Sequence, residues 1–66
     1  MKITLNGKEK ELTSSLNLKE VVTVFSKETP RIIAEVNGEI IRAPQWEHTS
    51  LKEGDCVELV SFVGGG

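Results

Sequence analysis

Apolar and polar residues alternate from the first position: Met1, Ile3 and Leu5 are interleaved with Lys2 and Thr4. A period of two predicts a half-buried strand. Asn6-Gly7 comes next, the pair preferred in two-residue hairpin turns, whose central residues need positive φ. Lys8 to Leu12 then returns as a second strand. A two-residue turn fixes the register, so Leu5 should face Lys8, Ile3 face Lys10, and Lys2 face Glu11 as an opposite-charge pair on the outer face. The four consecutive charges of Lys8-Glu9-Lys10-Glu11 suit an edge strand, because charge discourages pairing with other molecules.

The period then changes. Leu18, Val21, Val22 and Phe25 recur at i, i+3, i+4 and i+7, which is one face of a helix. Asn17 and Glu20 stand at the spacing of a capping box at its start, and Pro30 prevents continuation. Arg31 to Val36 reads as a third strand, Asn37-Gly38 as a second hairpin turn and Glu39 to Arg42 as a fourth strand. The same register logic sets Ala34 opposite Ile41 and Glu35 opposite Ile40. Ile32, Ala34, Val36 and Ile41 then share one face, and Ile33 and Ile40 the other. Ala43 to Leu51 is a connector, Lys52-Glu53-Gly54-Asp55 a turn, and Cys56 to Val63 the last strand.

The predicted order is strand, strand, helix, strand, strand, strand. One amphipathic helix covers one face of a sheet, and the long link through it lets the first and last strands lie side by side and parallel. The expected fold is α+β, a β-grasp or ubiquitin-like mixed sheet of about five strands with one main helix on one face. Residues 1–63 form the domain and residues 64–66 a flexible glycine tail.

Length and composition narrow the chemistry. Sixty-six residues make one domain with a thin core, which rarely supplies more than about 3–5 kcal/mol of net stability. A single cysteine excludes an internal disulfide framework, and no Cys, His and acid spacing matches a zinc site. With a formal net charge of −2 and interspersed signs, the chain has no basic patch, so nucleic-acid binding is not expected. No apolar stretch is long enough for a membrane span, and the N-terminus lacks a signal peptide's apolar core. These features point to a cytoplasmic protein without membrane or nucleic-acid partners.

The terminal run Gly64-Gly65-Gly66 directly follows the apolar strand. A glycine tail has no side chains and fits a channel too narrow for other residues. Its tip offers the α-carboxylate of Gly66. A carboxylate is a poor electrophile, and conversion to an acyl-adenylate in the pocket of another protein supplies a leaving group. The chain itself offers no base, metal or nucleophile for that step, so it is expected to be a carrier rather than an enzyme, with no catalytic residue of its own. A second feature lies on the sheet. Val57 and Leu59 should point to the helix, and Val60 and Phe62 to the open face together with Ile33 and Ile40. Four large apolar side chains on one open surface mark a partner interface, unless the connector around Trp46 folds over them. Cys56 reads as a small packing residue at a strand start, His48 as a surface residue, and Trp46 as a lid over the core.

The chain resembles the sulfur carriers of thiamine biosynthesis, the ThiS family of ubiquitin-like proteins. The resemblance covers its whole length. It rests on the opening strand with Asn6-Gly7, on Val36-Asn37-Gly38-Glu39-Ile40-Ile41, on Pro44 with Trp46, on Leu51-Lys52-Glu53-Gly54-Asp55, and most specifically on Val57-Glu58-Leu59-Val60-Ser61-Phe62-Val63-Gly64-Gly65-Gly66. It implies that an activating enzyme uses ATP to adenylate Gly66, that a persulfide donor converts the product to a thiocarboxylate, and that thiazole synthase receives the sulfur. No cofactor is then bound by the chain itself. The small subunit of molybdopterin synthase shares these traits, but that family tends to carry prolines where Ser61-Phe62-Val63 stand here. A ubiquitin-like protein modifier, or a β-grasp recognition module indifferent to its tail, are readings of another class.

Glycines lose the most entropy on ordering and bring no side chain to offset it. Backbone amide order parameters for Gly64 to Gly66 are therefore expected to fall well below those of the strands. Strand-like values would overturn the expectation of a flexible tail.

Overall fold

The computed structural model describes residues 1–12, 16–25 and 31–61. Strands β1 (Lys2–Leu5) and β2 (Lys8–Glu11) form the first hairpin, with Lys2 opposite Glu11, Ile3 opposite Lys10 and Leu5 opposite Lys8. Asn6 and Gly7 supply the two positive φ angles of the turn, 51° and 83°. Strands β3 (Ile32–Val36) and β4 (Glu39–Ile41) form the second, with Ala34 opposite Ile41 and Glu35 opposite Ile40. Asn37 and Gly38 take φ of 52° and 85° there. Both registers are those dictated by the turn pairs.

The last strand, β5 (Cys56–Ser61), lies between the hairpins, so the sheet order is β2-β1-β5-β3-β4. β5 runs parallel to β1 and antiparallel to β3. Phe62 and Val63, expected to continue it, lie outside the described residues, as do Pro30, the boundary expected at residue 63 and the tail.

Helix α1 (Leu18–Phe25) opens with a reciprocal cap. The Asn17 N–H donates to Glu20 Oε1 and the Glu20 N–H donates to Asn17 Oδ1, each at 2.8 Å. Leu18, Val21 and Val22 are buried against Ile3, Leu5, Ala34, Val57 and Leu59 of the sheet, and Leu12 and Leu51 complete the core. Phe25 departs from its expected place: it is 44% exposed. The first hairpin's register explains this. The helix-side positions of the edge strand β2 are Lys8 and Lys10, so no apolar surface awaits the end of the helix. Lys10 Nζ lies 5.7 Å from the Phe25 ring centroid instead, within cation–π range.

Two further side chains differ from expectation. Glu11 pairs with the Met1 ammonium at 3.1 Å, and no ion pair joins it to Lys2. Cys56 is exposed rather than packed, because strand alternation turns it away from the helix while Val57 points in. The connector carries a 3₁₀ helix (Ala43–His48) with Pro44 in its first turn. Trp46 packs against the core, and its indole N–H donates to the Ile41 carbonyl at 2.8 Å. His48 is exposed.

The asparagines of both turns hold β5 as well as turning the chain. Asn6 N–H donates to the Val57 carbonyl at 2.9 Å, and Asn6 Oδ1 accepts from the Leu59 N–H at 2.8 Å. β1 ends at Leu5, so the side chain adds one rung that the backbone ladder lacks. At the other end Asn37 Oδ1 accepts from the Cys56 N–H at 2.9 Å, and Asn37 Nδ2 donates to Asp55 Oδ1 at 3.0 Å. Asp55 Oδ2 in turn accepts from the Lys52 N–H at 2.8 Å, closing the turn before β5.

Asn6→Gly keeps the left-handed turn and removes only the hydrogen bond to Leu59, so it is expected to cost about 1 kcal/mol. Asn6→Ala adds the left-handed backbone penalty of about 1–2 kcal/mol. Urea unfolding of both variants checks the order. Wild-type stability in Asn6→Gly would show that the rung to β5 contributes nothing.

Candidate functional site

Alternation along β5 decides what the site is made of. Val57 and Leu59 face α1 and are buried, whereas Cys56, Glu58 and Val60 face the other side and are exposed. β3 divides in the same way, with Ala34 buried and Ile33 exposed. The sheet surface away from α1 therefore carries Ile33 at 40% exposure, Ile40 at 63% and Val60 at 51%. Val60 is directly opposite Ile33. Ile40 is opposite Glu35, which makes it a diagonal neighbour of Ile33 on the same face. Phe62, expected to be the fourth member, lies outside the described residues, and so do Gly64, Gly65 and Gly66.

The connector does not cover this patch. Trp46 packs against the core cluster on the helix side, where backbone bonds from Leu18 to Thr49 (2.8 Å) and from Leu51 to Leu16 (3.0 Å) hold the connector to the start of α1. A concavity lies there, a groove of about 480 Å³ between α1 and the 3₁₀ helix, lined in part by Lys19, Glu20, Thr23, Val24 and Glu47. Its described lining carries no cysteine, serine or histidine.

One feature of the open face was not foreseen from the sequence. Glu35 and Glu58 are direct cross-strand partners. The signal was available only by combining two registers: the Asn37-Gly38 turn puts Glu35 on the face of Ile40, and the β3–β5 pairing brings Glu58 to it. The clamping roles of Asn6 and Asn37 were also missed, since the Asn-Gly pairs announce a turn and not what the amide side chains reach.

Among the described residues, no group of three or more His, Cys, Asp or Glu side chains could hold a metal ion. No described helix is long and apolar enough to cross a membrane. The arrangement offers an exposed aliphatic surface and, after β5 in the sequence, a run of glycines.

A mixed five-stranded sheet in this order, with one helix on one face, defines a β-grasp, ubiquitin-like protein. The sequence pattern of the ThiS family matches residues 3–66, and the chain belongs to that family. It is a small sulfur carrier protein of thiamine biosynthesis, not a catalyst itself. The crystal structure of a thiamine biosynthesis protein (ThiS) from Geobacter metallireducens aligns over 100% of both chains, with a TM-score of 0.85 and 33% identity. The sulfur carrier protein ThiS of Bacillus subtilis is 32% identical over 65 residues, which are 97% of this chain and 98% of that protein. A thiazole synthase of Paramagnetospirillum magneticum is 27% identical over 66 residues; the alignment takes in all of this chain but only 20% of that longer protein.

The two sides of β5 should respond differently to truncation. Leu59→Ala empties part of the core and is expected to cost about 2–4 kcal/mol. Val60→Ala removes an exposed side chain and is expected to change stability by less than about 1 kcal/mol. Chemical denaturation distinguishes them, and the reverse order would move the strand register by one residue.

Proposed function

We propose that Gly66 is the sulfur-bearing group of this carrier, and that Ile33, Ile40, Val60 and Phe62 form the face by which its partners recognise it. The observation that carries the reading is the family match, which extends through the glycine run to residue 66. The exposure of Ile33, Ile40 and Val60 on the uncovered sheet face supports the docking role.

In the proposed cycle an adenylating activating enzyme binds the domain and takes the tail into its site. A carboxylate oxygen of Gly66 attacks the α-phosphorus of ATP, and pyrophosphate leaves. The terminal sulfur of a persulfide donor then attacks the acyl-adenylate carbonyl and releases AMP. Thiol cleavage of the resulting S–S bond leaves the thiocarboxylate. This anion is a soft nucleophile that delivers sulfur without free sulfide. Thiazole synthase is the proposed acceptor, a role favoured by the occurrence of a segment like this chain within a longer protein that bears that name. ATP is used by the activating enzyme and not held by the carrier, and the cytosol is the proposed compartment. The glycines serve because a tail without Cβ atoms enters a narrow channel and its backbone N–H groups can be held in extended form.

Incubation with ATP, the activating enzyme and a persulfide donor should raise the intact mass by the difference between sulfur and oxygen. Deleting Gly65 and Gly66 should abolish the product with thermal stability almost unchanged, and one added alanine should block activation because the reacting carbonyl is misplaced. Cys56→Ser should still give the product. Product formation after the deletion would overturn the role of Gly66, and its loss in a folded Cys56→Ser variant would move the sulfur chemistry to the thiol.

A further inference from the structure

Glu35 and Glu58 face one another across β3 and β5 on the open side of the sheet. Like charges directly opposite in a sheet are destabilising. Ile40 flanks Glu35 on one side, and Ile33 with Val60 forms the next cross-strand pair. The cations that alternation sets on the same face are Lys2 on β1, Arg31 just before β3 and Arg42 just past β4, and among the described residues none forms an ion pair with these carboxylates. A negative pair is thus set beside an exposed aliphatic patch.

We propose that this face docks a protein partner that presents an arginine to Glu35 and Glu58 and an apolar surface to Ile33, Ile40 and Val60. The inference rests on the docking role proposed above and specifies the chemistry of the partner. A guanidinium carries several donors in a planar fork and can meet two adjacent carboxylates at once. It is also more weakly hydrated than an ammonium, which suits a position bordered by aliphatic side chains. Charge complementarity excludes the other occupants. A second copy docked face to face would bring four carboxylates together, and an anionic lipid surface or a nucleic acid would be repelled by the pair. A cationic group docked between them meets both carboxylates at once.

The test titrates the full chain separately against the activating enzyme and against thiazole synthase, at low and at high salt. Wild-type affinity for at least one of them should fall as salt rises, because opposite charges across an interface are screened. Glu35→Gln with Glu58→Gln should weaken that binding by about fivefold or more at low salt and flatten its salt dependence. Glu58→Arg is the sharper variant. It sets opposite charges across the strands, so the melting temperature should rise while binding falls by about tenfold or more. Ile40→Ser and Val60→Ser report on the docking face independently of charge. Should these two weaken binding while the glutamate variants keep wild-type affinity and salt dependence, the arginine contact is overturned and the docking face stands. Should none of the substitutions affect either partner, both are overturned.

Discussion

The two hairpins of this fold do not pair with one another; β5 joins them. β1 and β2 pair on one side of it, β3 and β4 on the other. An isolated two-stranded hairpin is marginal in water, so neither half is expected to persist alone. Because β5 is the last strand, the sheet is complete only when residues more than fifty positions apart, such as Thr4 and Cys56, have come together. The asparagine bonds, from Asn37 to Cys56 at the start of β5 and from Asn6 to Leu59 within it, reinforce this junction. The strand that leads to the glycine run is therefore also the one that the rest of the sheet requires.

Alternation then assigns every β5 side chain to one of two environments. Val57 and Leu59 enter the layer under α1, and Cys56, Glu58 and Val60 enter the surface that no helix covers. With a single helix and about five strands, only one face can be buried. On the proposed reading, stability and recognition are thus written on alternate residues of one strand. Substitutions on the two faces then act through different physics: cavity formation on one, and lost contact with a partner on the other.

Much of this was legible in the sequence because two-residue turns leave the register no freedom. Once Asn6-Gly7 and Asn37-Gly38 are recognised, every pairing within the hairpins follows, and so do the exposed positions of Ile33 and Ile40. The capping box at Asn17 and Glu20 was equally direct, since both partners lie within one turn. What remained hidden depended on contacts between distant segments. Phe25 has the right helical phase, yet ends over the lysines of β2, a fact of topology rather than periodicity. Cys56 is exposed by the same alternation that turns Val57 and Leu59 inward, so its placement followed from the β5 phase and not from its residue type. The Asn6 bond to Leu59 and the Glu35–Glu58 pair connect positions far apart in sequence, and residue type alone does not announce them.

The uncovered face is where local and global preferences conflict. A sheet surface meant only for solvent is best served by polar side chains with opposite charge signs across strands, as Lys2 of β1 opposite Glu11 of β2 illustrates. Next to β5 the chain does the opposite, with three exposed aliphatics and two facing carboxylates. A core this small leaves little stability to spare, and neither feature helps it fold. Violations of this kind are expected at functional sites. On the proposed reading the face and the tail divide the work. The face selects the partner through area and charge, and the glycines, lacking side chains, add almost no selectivity of their own and serve only to reach the chemistry. Specificity among carriers with similar tails must then reside on the sheet, which is why the residues around β5, rather than the glycines, are expected to tell partners apart.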